Sequence, residues 1–385
     1  MAKLDVTADQ QLVKKMNKTV LLNEIIRSYP ISRAKLSEVT GLNKSTVSAQ
    51  IGALLNEELI FEIGQGDSSG GRRPVMLVFN QQAGFTIGVD LGVKAINAVL
   101  TDLKGNVVES LTTEWAEADQ EAEPKVRAAI DALLGKMPSS PYGLIGIGVS
   151  VPGLINREQQ VIFVPNLRPD VTSLKHDLEN RYDVPVNLEN EANAGAYGER
   201  RFGAGKDHEE MVFVSLGTGV GTGIILHGEL YRGEDGFAGE FGHMSIEYNG
   251  PKCTCGNRGC WELYASEKVL WDKYLPGHTV ETLHRSLQAN EASVLNELQK
   301  WCFYVGVGLN TVLNVYNPKA IIIQSRVIES HPMVLNMIRT AISSRVYAQA
   351  DHSFELIPSK LSDHASAIGM ASLAIEQFLQ RRMMQ

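Results

Sequence analysis

His243, Cys253, Cys255 and Cys260 bring one imidazole and three thiols into one short stretch of chain. A divalent ion that accepts both nitrogen and thiolate sulfur takes four such ligands as a tetrahedron, so the set suits zinc. With all four positions filled by protein no place remains for a catalytic water, and the ion, one per chain, would be structural. Gly256 and Gly259 lie between the thiols and permit the tight loop that ligation needs. Only four cysteines occur in 385 residues, and in a reducing compartment ligation is favoured over a disulfide framework. Glu240 and Glu262 flank the ligands, so the ion would also hold these two carboxylates in place. A second chemistry lies near the N-terminus, where Lys44, Ser45, Thr46, Ser48 and Gln50 put short polar side chains of the kind that reach base edges in a major groove onto one helical face.

These residues need elements to position them. Leu21, Leu22, Ile25 and Ile26 follow helical spacing up to Pro30. Ser32 can cap a second helix, with Leu36 and Val39 expected to face inward and Gly41 to end it. Asn43 can cap a third, whose apolar positions are Val47, Ile51, Leu54 and Leu55. Ser37 is small enough for the close helix crossing of a helix-turn-helix. Strand-like runs Leu59 to Ile63 and Val75 to Phe79 flank a Gly-rich loop ending in Arg72 and Arg73, the pattern of a wing whose arginines lie along phosphates. Residues 11–48 carry seven basic against two acidic side chains in a chain of net charge -8, a local footprint for a polyanion. Arg33, Lys35 and Asn43 complete the expected DNA-facing set. Residues 1–80 thus read as a winged helix-turn-helix.

Residues 81–385 alternate strands and helices, an α/β pattern. Strands are expected at Thr86 to Asp90, Ile96 to Thr101, Leu144 to Val151 and Val186 to Glu189, with helices at Ala128 to Met137 and Ala192 to Phe202. A second round has strands Met211 to Leu216, Gly223 to Leu226 and Ala320 to Gln324 and helices Glu291 to Tyr316, 331–347 and 366–382. Two such rounds imply two related lobes around a cleft. A composition of 44% hydrophobic and 21% charged residues excludes a disordered chain. No apolar run is long enough to span a bilayer, and no signal segment is present, so the expected location is cytoplasmic, with no membrane partner.

Several motifs carry a resemblance over the whole length: Asp90-Leu91-Gly92, Val151-Pro152-Gly153, Pro165-Asn166, Asn190-Glu191-Ala192-Asn193, Leu216-Gly217-Thr218-Gly219, Gly239-Glu240-Phe241-Gly242-His243, and the run from Cys253 to Glu262. With them the chain resembles the ROK family of repressors, open reading frames and kinases. The resemblance implies an actin-like, hexokinase-like (RNase H-like) sugar-binding domain of two lobes over 81–385. It also implies a sugar pocket formed by Gly153, Asn166, Asn190, Glu191, Glu240, His243 and Glu262, consistent with the need to pair every hydroxyl of a buried sugar. Combined with a winged helix reading Leu42-Asn43-Lys44-Ser45-Thr46-Val47-Ser48 and the run Gln65 to Pro74, the chain is most similar to the family's xylose-responsive regulators, so the implied partners are operator DNA of xylose-utilisation genes, xylose as effector, and a second copy of the chain in a homodimer matched to a palindrome.

The alternative is an ATP-dependent sugar kinase. Kinases of the family read Asp-x-Gly-Gly-Thr at the first phosphate turn, where this chain has Asp90-Leu91-Gly92-Val93-Lys94. A Gly pair that admits adenosine is replaced by Gln324-Ser325-Arg326, and the catalytic Asp by Glu191, one methylene too long for proton transfer. Only Gly217-Thr218-Gly219 is intact. No ATP cofactor and no catalytic residue is therefore expected. A scaffold that binds DNA and no ligand is the third reading, which calorimetry against sugars would separate.

Overall fold

A computed structural model of the protein describes residues 5–65, 74–115, 121–165, 167, 170–345 and 353–384. The N-terminal head begins with a long helix, Asp5–Ser28, followed by helices Arg33–Thr40 and Lys44–Asn56. The Ser32 side chain accepts from Lys35 N, Gly41 closes the second helix at φ 70°, and Asn43 caps the third by accepting from Thr46 N. Ser37 Oγ donates to Leu42 O at 2.6 Å and closes the turn between the two helices. Strand Ile31–Ser32 and the hairpin Ile60–Gln65 / Val75–Phe79 form a three-stranded sheet beside them, giving the helix-turn-helix with hairpin that the sequence leads one to expect. Leu36 is fully buried, but Val39 is 47% exposed. The second helix has only two turns, and its inward stripe is exhausted by Leu36. The expected wing tip, Arg72 and Arg73, lies outside the described residues.

The body holds two five-stranded sheets. In the first the order is Val186–Asn190, Leu144–Val151, Phe85–Leu91, Ala95–Asp102, Val107–Glu114, the first three parallel and the last two antiparallel. Taken from its own fifth strand, the second sheet repeats this: Glu355–Pro358, Ala320–Gln324, Met211–Leu216, Val220–Leu226, Glu229–Leu230. Helices Glu123–Leu134 and Leu174–Tyr182 cover the outer face of the first sheet. Val280–Gln288, Ala292–Tyr316 and Pro332–Ser343 cover that of the second. Between the sheets lie Glu191–Phe202 and Ala365–Met384, in extensive mutual contact.

Most expected elements sit within a few residues of their places. Helix 128–137 instead runs Glu123–Leu134, because Pro124 suits a first helical turn and Gly135 ends it. The helix expected over 331–347 ends at Ser343, and strand Gly223 to Leu226 begins earlier, at Val220. Helices Leu174–Tyr182 and Val280–Gln288 and strand Glu355–Pro358 were not anticipated. Among the described residues no helix is long and apolar enough to cross a membrane.

Candidate functional site

A cleft of about 480 Å³ opens between the lobes, lined among others by Asp90, Asn190, Glu191, Glu240, His243 and Glu262. Topology places Asp90, Asn190 and Glu191 at the ends of parallel strands, where open α/β sheets present their ligand sites. Asn190 ends strand Val186–Asn190 and caps the next helix. Its Oδ1 accepts from Ala192 N at 2.8 Å and Asn193 N at 3.1 Å, and its Nδ2 donates to Gly153 O at 2.9 Å. Only one amide hydrogen of Asn190 is left for a ligand, so much of its role is to hold the helix start against the Gly153 loop. Glu191, the first residue of that helix, aims its carboxylate into the cleft with Asp90 and Glu240 nearby. Asn166 lies outside the described residues.

From the second lobe come Glu240, which precedes the 3-10 turn Phe241–His243, and Glu262, which opens helix Glu262–Ala265. The four zinc-type ligands expected from the sequence do converge. Their ligand atoms all lie within 4.8 Å of one another. His243 Nδ1 is 3.6 Å from Cys253 Sγ, and Cys255 Sγ is 3.7 Å from Cys260 Sγ. Metal–sulfur bonds of about 2.3 Å in a tetrahedron separate sulfurs by about 3.8 Å, so the donors present fit a zinc ion. Burial pushes the Cys260 thiol up to about 12, and a bound cation would supply the charge that lets it ionise. The loop is built for closeness: Gly259 has φ 63°, and a Cβ there would stand 1.8 Å from Glu247 O. Glu262 Oε1 accepts from Cys253 Sγ at 3.1 Å and lies 3.5 Å from His243 Nδ1, which ties the cleft carboxylate to the ligand cluster. With Nδ1 facing the thiols, Nε2 is the nitrogen His243 has left for the cavity.

Electrostatics in the cleft are unusual. Burial, then the charges of Asp90 and Glu240, raises the Glu191 carboxyl to about 8. Burial likewise raises Asp90 to about 6, although Ser150 Oγ donates to its Oδ1 at 2.7 Å. Enclosure by the cleft walls pushes Glu240 up, His243 pulls it down and Glu262 pushes it up again. At neutral pH Glu191 is therefore a protonated acid that both donates and accepts, a suitable partner for a hydroxyl.

A stability prediction follows from these directions. The folded values of Glu191 and Asp90 stand above their ordinary 4.5 and 3.8, so the ligand-free native state holds protons that the unfolded chain gives up. The stabilisation is complete below about pH 4 and is lost as pH rises through 6 and 8, with a slope of at most about 1.4 kcal/mol per pH unit for each group. Glu191→Gln removes one share. Its stability relative to the parent should rise steadily from pH 5 to 8 in thermal unfolding, and parallel profiles would refute the assignment.

The far end of the cleft departs from what a nucleotide needs. Arg326 and Asp363 line it and form a bridge at 2.6 Å, with Arg326 Nε also donating at 3.0 Å. Glu267 accepts from Ser325 Oγ and Val327 N, fixing the turn that would otherwise be open. The intact Gly217-Thr218-Gly219 turn packs on the sugar side, where a Cβ at Gly219 would meet Glu262 Oε2 at 2.8 Å. The sequence pattern does not single out Asp90, Asp363 or Ser366 as site residues. Asp90 stands at the end of an apolar strand, a usable signal. Asp363 and Ser366 have none, since Asp363 reaches the cleft on the 3-10 turn Ser362–His364 and Ser366 on the first turn of helix Ala365–Met384.

On the head, Lys44, Ser45 and Ser48 are exposed and Thr46 and Gln50 half-buried, spread around the helix outside its buried stripe of Val47, Ile51 and Leu54. Asn43 is occupied as a cap, its Oδ1 accepting also from Ser45 Oγ at 2.7 Å. Arg33 pairs with Glu62 at 2.6 Å and Lys35 with Glu38 at 2.8 Å, surface contacts that a phosphate can displace at little cost.

Comparisons with known proteins follow the same lines. The chain is 52% identical to the xylose repressor of Bacillus subtilis over 377 residues, covering 97% of this chain and 98% of that one. The fold matches a crystal structure of a ROK family transcriptional regulator homologous to the Escherichia coli MLC protein, with TM-score 0.80 and 23% identity over 97% of this chain and 99% of that one. A ROK family glucokinase from Streptomyces griseus, crystallised with glucose and AMPPNP, matches 76% of this chain and all of its own with TM-score 0.69 and 28% identity. It thus leaves a part of this chain about the size of the head unmatched. Residues 86–377, and with them both lobes and the cleft, match the ROK family itself, and the chain belongs to that family.

Proposed function

We propose that this protein represses xylose-utilisation genes: the head, residues 1–80, binds operator DNA, and xylose, held in the cleft of residues 81–385, releases it. The observation that carries the reading is the 52% identity to a xylose repressor, which runs through head and cleft alike. The cleft chemistry supports it. Glu191, Glu240, Glu262 and His243 offer a mixture of donors and acceptors from two lobes, and a ligand that bridges lobes favours their closed arrangement. Zinc on His243, Cys253, Cys255 and Cys260 would hold the second-lobe half of the site rigid. A kinase would need room for adenosine where Arg326 meets Asp363, and an aspartate base where Glu191 stands. A homodimer would present two heads to a palindrome.

The test is retardation of operator DNA from xylose-utilisation genes. Complex formation without sugar and release by xylose without ATP are expected; release only upon ATP hydrolysis, or no release by xylose, would overturn the reading. Base and phosphate roles separate in the same assay. Thr46→Ala should cost about 1–3 kcal/mol of discrimination between operator and random duplex. Arg72→Ala should weaken both duplexes alike and lower the salt slope by about 1. Unchanged retardation for both would remove the assignment of the head.

A further inference from the structure

The recognition helix Lys44–Asn56 is fastened to the body at its C-terminal end. The carbonyl of Glu57, which follows it, accepts from Tyr142 Oη at 2.6 Å, and Tyr142 belongs to the first lobe. Arg382, on the last helix of the chain, donates to that same Tyr142 oxygen at 3.0 Å and stacks over its ring at 4.9 Å. Lys18 from the first helix is nearly buried. It pairs with the Glu57 carboxylate at 2.6 Å and donates to Arg382 O at 3.0 Å. The apolar side agrees: Phe378 and Met383 from the last helix and Ile145 from the first sheet share one buried cluster with Leu21, Leu22, Ile25 and Leu54 of the head. The Tyr142 and Phe378 rings meet edge to face at 5.1 Å.

The last helix, Ala365–Met384, is itself welded to the first lobe. A Cβ on Gly88 of the first sheet would stand 1.8 Å from Ala367 O, and one on Gly148 of the same sheet would stand 2.4 Å from Met370 O. Backbones in such contact have no room to rock. At its N-terminal end Ser366 Oγ donates to Glu191 O at 2.8 Å. Twenty residues span about 30 Å, so one helix has one end at the cleft and the other against Tyr142 and the first helix, which in turn hold the end of the recognition helix.

We propose that the head, the first lobe and the last helix move as one body, with Tyr142 as the positioning residue that locks the recognition helix into it. The sugar signal then reaches DNA by rotation of the second lobe against that body, not by tilting of the head on a linker. The inference rests on the repressor reading given above. The head has no separate core to swing on, and the link needs only one bistable joint, between the lobes, whose equilibrium xylose biases.

Two measurements on the full chain test it. Pulsed-EPR distances between bio-orthogonal labels at Glu38 and Ser110, head and first lobe, should not change with xylose. Those between Glu38 and Gln299, head and second lobe, should. The second measurement is operator affinity with and without saturating xylose for Tyr142→Phe, which deletes one oxygen. Xylose affinity of the free protein should match the parent, while the xylose-dependent loss of operator affinity should shrink by about three- to tenfold, the value of one hydrogen bond. Arg382→Lys, which keeps a donor, should restore more of the response than Arg382→Ala. A purely structural role for Tyr142 would lower operator affinity equally with and without sugar. A head-to-first-lobe distance that shifts with xylose, or a Tyr142→Phe protein released as the parent is, overturns the proposal. If xylose fails to release even the parent, the repressor reading falls and this link with it.

Discussion

Cys255→Ser protein is expected to lose both its metal and its response to xylose while still retarding operator DNA. Cys255 and Thr254 line the cleft directly, and Glu262 is tied to Cys253 and His243. Removing one of four ligands leaves Cys253 and Cys260 as buried neutral thiols with no cation to gather them, and frees the loop that carries Glu262. Losing the placement of Glu262 and His243 together forfeits two polar contacts to sugar. At about 1.5–3 kcal/mol for each hydrogen bond to a charged group and less for a neutral one, xylose affinity should fall about 100-fold or more. Metal analysis and calorimetry check the two halves. A variant that keeps a full equivalent of zinc, or loses zinc and binds xylose as before, would show the loop to be independent of the ion. The head is remote from the loop, so operator binding without sugar is the control.

Glu191→Ala carries the second large effect. The side chain reaches the cleft from the first lobe, whereas Glu240 and Glu262 reach it from the second, so its loss weakens the bridge that favours closure. Operator binding without xylose should be that of the parent, and about 5- to 150-fold more xylose should be needed for release, because the neutral acid's loss leaves a buried sugar hydroxyl unpaired at a cost of about 1–3 kcal/mol. Glu191→Gln, which keeps a donor and an acceptor like the protonated acid, should lose much less. Release curves for the three proteins decide the matter. If alanine and glutamine behave alike, the hydrogen bond is not what Glu191 contributes.

What was legible from the chain depended on the range of the information. Caps and ligands are local, and Ser32, Gly41, Asn43 and the His243 and cysteine set stand where residue type and spacing put them. Long apolar strands such as Leu144–Val151 and Met211–Leu216 have the expected bounds, because a buried strand needs a continuous apolar run that little else produces. Helix Leu174–Tyr182 escaped notice because it buries only Leu174 and Leu178 and is otherwise charged, so its stripe is too thin to see. The role of Asn190 as a cap first and a ligand group second depends on which backbone N–H groups need an acceptor, a matter settled by geometry. Nothing in residue type distinguishes Tyr142 or Arg382 from other surface residues. Their meeting joins positions 240 residues apart, and no local pattern records that.

The two sheets repeat one strand order, yet among the described residues only the second lobe carries the thiol loop. Duplicated halves of common design have thus diverged in what they offer a guest. The first lobe gives Asn190 and Glu191 to the cleft and also carries Tyr142 against the head, while the second gives Glu240, His243 and Glu262 on the segment that holds the thiols. If the cleft takes an inducer as proposed, the economical graft for accepting another is segment 240–262 from a relative with a different ligand. It leaves the seam at Tyr142 untouched, so the acquired taste would be heard through the existing machinery.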